Sequence, residues 1–180
     1  MNNTGDIYYA VSGNRAFLKL TGIIRYPLSH RLNLAVSRIF SRAKVHDVVV
    51  DLQDAEFIDS TCLGLLARVA THCLEQSCER PIIFSSQPEI TRLLRSMGFD
   101  QAFALVDNPS KPVTGLNDAS KLAGGRSTRL DPNLILDAHR ALCELNQSNE
   151  TAFHTVLEQL ESDAGGPLPI RSPDRPRGSL

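Results

Sequence analysis

The chain has 180 residues, 42% of them hydrophobic, and a formal net charge of −1. That composition builds one domain of ordinary size plus an appendage, and no apolar run approaches the roughly 20 residues needed to cross a bilayer. The near-neutral charge argues against nonspecific nucleic-acid binding as the main task.

In chain order, residues 7–12 read as a first strand. Ser12, Gly13 and Asn14 carry a turn signal, and the alternation over 16–24 predicts a second strand folded back as a hairpin. Pro27 punctuates. Leu28, Leu32, Ala35, Val36, Ile39 and Phe40 then recur at helical spacing, with Arg31, Arg38 and Arg42 on other faces. Residues 48–52 (VVVDL) suit a parallel strand covered on both sides. A polar loop follows, Ile58 packs inward, and an apolar-periodic helix opens at Ser60 and runs to about residue 77. Residues 81–85 (PIIFS) predict another interior strand, 88–97 a short helix begun by Pro88 and closed by Gly98, and 102–106 a last strand. The order is ββαβαβαβ, a mixed α/β sheet of about five strands, the first two a hairpin and the later ones parallel. Right-handed crossovers place the helices mainly on one side.

Residues 1–107 form this domain, and 108–129, rich in Pro, Gly, Ser and Lys, read as a linker. The span 130–162 predicts a helical extension. Leu134, Ile135, Ala138, Ala141, Leu142 and Leu145 stripe one helix; Phe153, Val156, Leu157 and Leu160 stripe a second after a break at 146–149. Helices this short are marginal alone, so they dock on the domain, pair with another chain as a homodimer, or wait for a partner. The tail from 163 to 180, with four prolines in GGPLPIRSPDRPRGSL, is expected to be disordered.

The chemistry concentrates at residues 58–66, IDSTCLGLL. Ser60 is placed to cap the following helix, its hydroxyl accepting a free backbone N–H. In the positive field of the helix end an added phosphate would be stabilised. A plain cap serine fits the same pattern. Leu63, Leu66, Ala67, Ala70, Cys73 and Leu74 form the inward stripe. Cys62, Leu65, Val69 and His72 form an adjacent one, which either widens the core face or makes the dry centre of a docking patch. Asp59 either orients Ser60 and marks it for a kinase or is a solvated loop carboxylate. Asp51 and Asp54 lack further ligands at metal-site spacing. Cys73 and Cys78 beside His72 read as core and helix-end thiols rather than a zinc site, and His139 as an ordinary surface or packing residue. No P-loop, nucleophile elbow or ordered nucleophile–base pattern indicates an enzyme.

These residues resemble a known family. Following a VVVDL strand, Ile58-Asp59-Ser60-Thr61-Cys62-Leu63-Gly64 is similar to the signature of the anti-sigma-factor antagonists, built on the STAS domain (sulfate transporter and anti-sigma antagonist). The resemblance spans about residues 6–107. In that family the first hydroxyl after the aspartate is the phosphoacceptor. Cys62 stands where glycine is common, and residues 22–27 (GIIRYP) lack the acidic residue common at that turn.

The resemblance implies a phosphorylation site at Ser60, with Thr61 as alternative, and a partner surface of Asp59, Ser60, Thr61, Cys62, Leu65 and Val69. It implies an anti-sigma factor as partner, a serine kinase and a PP2C-type phosphatase, and no cofactor, metal, nucleic acid or membrane. The extension, around ILDAHRALCELN, resembles that of gammaproteobacterial HsbA-type antagonists, whose phosphatase and kinase sit in a response regulator. The rival expectations are a non-switching STAS scaffold or accessory subunit of a transport or signalling complex and, further off, a nucleotide-binding enzyme. The start MNNTGDIYYA lacks the basic stretch and apolar core of a secretory signal. With cysteines at 62, 73, 78 and 143 in no disulfide-framework spacing, a cytoplasmic, reducing setting is expected.

Overall fold

A computed structural model describes residues 5–41, 45–107, 120–121 and 130–163. β1 (Asp6–Ser12) and β2 (Arg15–Ile24) form the expected hairpin, turned at Gly13, whose φ of +60° suits a residue without Cβ. β3 (Asp47–Asp51) pairs parallel with β2, β5 (Ile82–Phe84) with β3, and β6 (Ala104–Val106) with β5. The described sheet runs β6-β5-β3-β2-β1-β7.

Two short strands add to the expected set. β4 (Ala55–Ile58) lies within the segment read as a polar loop and pairs parallel with the far end of β2. The register shifts between Gly22 and Ile23, where a φ of +68° at Gly22 bends β2 from β3 to β4. β7 (Ser120–Lys121), inside the segment read as linker, pairs antiparallel with β1. The rest of that segment, and the tail beyond Asp163, lie outside the described residues.

The helices are a 3-10 turn at Tyr26–Leu28, α1 (Ser29–Phe40), α2 (Ser60–Glu75), α3 (Pro88–Ser96), α4 (Phe99–Ala102), α5 (Pro132–Leu145) and α6 (Gln147–Asp163). They build one core on one face of the sheet. Alternating Leu18 and Leu20, Val48 and Val50, and Ile83 meet Leu32 and Ile39 of α1, Leu63 and Leu66 of α2, and Leu134 and Leu142 of α5. Among the described residues the other face carries a small cluster of Ala10, Phe17 and Val49 with Phe84. Arg31, assigned to an outer face of α1, is instead buried, its aliphatic stem in the core margin and its guanidinium directed towards Asp6. Leu74, assigned to the inward stripe of α2, is 82% exposed. The last helical turn overruns the core there, and Leu74 lines an open groove with Cys73, Pro81 and Ala102.

Of the three fates open to the helical extension, docking on its own domain is the one adopted. α5 lies along α2 so closely that a Cβ built on Gly64 would fall 2.0 Å from the Ala138 carbonyl oxygen. Asp131 caps α5 by accepting from the Leu134 amide, with Pro132 in the first turn. The break between the helices is shorter than expected. Asn146 Oδ1 accepts the Asn149 amide and starts α6 at once, and the buried Asn149 donates to the Met97 and Leu142 carbonyls. Gly64→Ala should therefore force α5 off α2 and cost about 1–3 kcal/mol. Urea denaturation of the variant against the parent checks this, together with faster hydrogen exchange of the α5 amides.

Candidate functional site

β4 is what positions the mouth of α2. Pairing with β2 brings the Asp59 amide to the Ile24 carbonyl at 3.1 Å, and the Asp59 carboxylate then reaches two backbone donors. Oδ1 accepts from the Cys62 amide at 2.9 Å and Oδ2 from the Tyr26 amide at 2.6 Å. Asp59, and not Ser60, is thus the cap of α2. A carboxylate reaches forward to the N3 amide as a serine would, and adds charge against the helix dipole. It is neither a solvated loop carboxylate nor a direct partner of Ser60: it fixes the helix that carries Ser60.

Released from capping, the partly buried Ser60 hydroxyl turns outward to α5. Its Oγ lies 3.0 Å from His139 Nε2, and His139 Nδ1 lies 2.8 Å from the Ile135 carbonyl oxygen. A carbonyl only accepts, so Nδ1 carries the hydrogen, and in the neutral ring Nε2 is left to accept the Ser60 O–H. The imidazole is 5% exposed, with its edge against Phe153 of α6, ring centroids 5.3 Å apart. Read from sequence as an ordinary residue, His139 is the side chain that touches the predicted phosphoacceptor. Nothing local signals this; the two are 79 positions apart.

The other predicted residues divide by burial. Thr61 is buried, and Cys62, Leu65 and Val69 are sealed in the core. They join the one apolar core that also takes in the sheet and Leu134, Ala138, Ala141 and Leu142 of α5, whereas the face of α2 turned to α5 carries Ser60, Gly64, Arg68 and Thr71. His72 is partly exposed at the far end, tilted against Phe40. Tyr26 ties the two helices from the side, its amide to Asp59 and its hydroxyl accepting from the Asp131 amide at the start of α5.

Asp51 and Asp54 share a structural partner. Lys19 sits between Asp51 and Asp54, at 3.2 and 2.6 Å. Burial alone would lower its pKa, but the bonds to Asp54 and Asp51 outweigh that and raise it. Among the described residues no three His, Cys, Asp or Glu side chains cluster as a metal site. Burial, with a smaller contribution from Asp59, pushes the Cys62 thiol well above its ordinary range. Burial, then Cys78, pushes Cys73 up to about 12, and the Cys78 thiol bonds to the Val45 carbonyl.

The fold and site together define a mixed-sheet α/β domain with a hydroxyl at the mouth of its second helix and a helical hairpin laid over that mouth. Residues 7–107, more than half of the chain, match the family described as "Mlab, STAS domain", so the chain belongs to the STAS-domain family. Among solved structures it is similar to an anti-sigma factor antagonist from Mycobacterium paratuberculosis. Identity is 18%, over 60% of this chain and 90% of that one, with a TM-score of 0.52. A candidate anti-sigma factor antagonist from Thermotoga maritima gives 19%, 57%, 86% and 0.50 for the same measures. At these identities the likeness is one of fold. No curated protein matches the chain. No helix among the described residues is long and apolar enough to cross a membrane.

Two outcomes follow from these contacts. Asp59→Ala removes the acceptor of two backbone amides and should cost about 2 kcal/mol, read by denaturant midpoint, with Asp59→Asn losing less. The Cys73 thiol, held neutral to about 12 against an ordinary value of 9.0, favours the folded state below pH 9. As pH rises from 9 towards 12 the unfolded thiol ionises while the native one does not, so that contribution is lost. Stability measured between pH 8 and 11 should fall more steeply in the parent than in Cys73→Ala.

Proposed function

We propose that this protein is an anti-sigma-factor antagonist and works as a partner switch without catalysing a reaction. Unphosphorylated, it binds an anti-sigma factor and frees a sigma factor. A serine kinase moves the terminal phosphoryl group of ATP to Ser60 Oγ, displacing the hydroxyl proton, and ends that complex. A PP2C-type phosphatase, alone or within a response regulator, returns the hydroxyl by hydrolysis.

The observation that carries this reading is the state of Ser60. It is the partly exposed hydroxyl in the first turn of α2, while Thr61 beside it is buried and so the poorer phosphoacceptor. A phosphoserine brings roughly −1.5 to −2 charge and its hydration to that point. A partner resting on the mouth of α2 would meet a dianion where it had met a neutral hydroxyl. Contact is proposed at Asp59, Ser60 and Thr61. Cys62, Leu65 and Val69, sealed in the core, drop out of the expected contact. Any pairing of two chains through the extension falls to α6, where Val156 remains exposed, since the stripe of α5 is occupied within the chain.

The hairpin over the mouth of α2 favours one other reading, a non-switching accessory subunit of a larger assembly. Phosphopeptide mass spectrometry after treatment with the host's serine kinases separates the two. The switch predicts a phosphate on Ser60, and anti-sigma-factor capture that survives Ser60→Ala but weakens roughly tenfold or more in Ser60→Asp. Equal capture by both variants, or no labelling by any kinase, assigns the accessory role.

A further inference from the structure

We infer that His139 is the receiver for a phosphate on Ser60, so that phosphorylation latches the α5–α6 hairpin over the mouth of α2. The inference rests on the reading of Ser60 as phosphoacceptor and adds what the modification does within the chain. The imidazole is preset for both states. Its Nδ1–H is committed to the Ile135 carbonyl whatever happens at the other nitrogen, which keeps Nε2 aimed at Ser60 Oγ from 3.0 Å. With a free hydroxyl, neutral Nε2 accepts the Ser60 hydrogen. With a phosphate, that hydrogen is gone and three acceptor oxygens stand in its place. Nε2 takes a proton from solvent and donates it to one phosphate oxygen, and a neutral bond is replaced by a charge-assisted one of about twice the strength.

The geometry also determines which part of the chain feels the change. His139 sits on α5 and is braced by Phe153 of α6, so a stronger bond to position 60 holds both helices. What it holds them over is the face of α2 that carries Ser60 and Gly64. In the unmodified chain that cover rests on apolar burial and neutral hydrogen bonds, that of Ser60 to His139 among them. In the modified chain it is reinforced, and a partner competing for that face is excluded by the chain's own helices as well as by charge.

The test uses full-length protein with phosphoserine installed at position 60 by genetic-code expansion, so it needs no kinase. A failure of the latch is then distinct from a failure of the switch. Hydrogen–deuterium exchange should show α5 and α6 amides exchanging roughly tenfold slower or more in the phosphorylated protein, and the gain should vanish in His139→Gln. Because that variant can loosen the hairpin by itself, nitrogen-15 imidazole spectra of the parent give a second readout. The His139 ring should pass from Nδ1-protonated neutral to doubly protonated when phosphate is present at neutral pH. Faster or unchanged exchange in α5 and α6, or a ring that stays neutral, overturns the latch whether or not a kinase labels Ser60 in the cell.

Discussion

The contact on which the molecule turns is the approach of α5 to α2 at Gly64. Two helices come this near only where one offers no side chain, and Gly64 lets the Ala138 backbone settle against it. Everything distinctive about the site follows from that closeness. The face of α2 that carries Ser60 and Gly64 is closed over, and His139 arrives within bonding distance of Ser60. Were position 64 occupied by a larger residue, the STAS domain would keep its sheet while the hairpin stood off.

A second constraint acts at right angles to the first. Asp59 joins two segments with one carboxylate, closing the first turn of α2 and holding the Tyr26 amide, and the Tyr26 hydroxyl extends the link to the start of α5. The mouth of the helix is therefore rigid on the side of the sheet and the 3-10 turn. Ser60, with no capping duty, is left to respond to its surroundings. Separating the residue that holds the helix from the residue that takes the modification lets charge change at one without unfastening the other.

Most of the sheet was legible in the residues. The hairpin turn at Ser12, Gly13 and Asn14, the valine run of β3 and the punctuation around Pro88 and Gly98 each carry a local physical signal, and each element formed within a residue or two. β4 and β7 were not legible. AEFI is short, with only its end residues buried, and pairs because a bend at Gly22 redirects β2; Ser120 and Lys121 pair because β1 has a free edge. The identity of the cap was missed because Asp and Ser serve equally well there, and only the position of Tyr26 decides between them. The role of His139 was missed for a deeper reason. Periodicity shows that α5 has an apolar face but not which surface receives it, and a contact 79 residues apart leaves no trace in either segment alone.

The brief strand β7 bears on how the hairpin behaves once dislodged. Its pairing with Tyr8 and Tyr9, and the ion pair from Lys121 to Asp6, anchor the connecting segment to the sheet partway along its course. From Lys121 to Leu130 the chain has only about nine residues, a reach of roughly 30 Å when fully extended. A hairpin displaced by a competitor is thus kept on a short leash, at a high effective concentration over its own groove. A rival for that surface contends with a neighbour that never diffuses away, and its departure is followed by prompt reclosure.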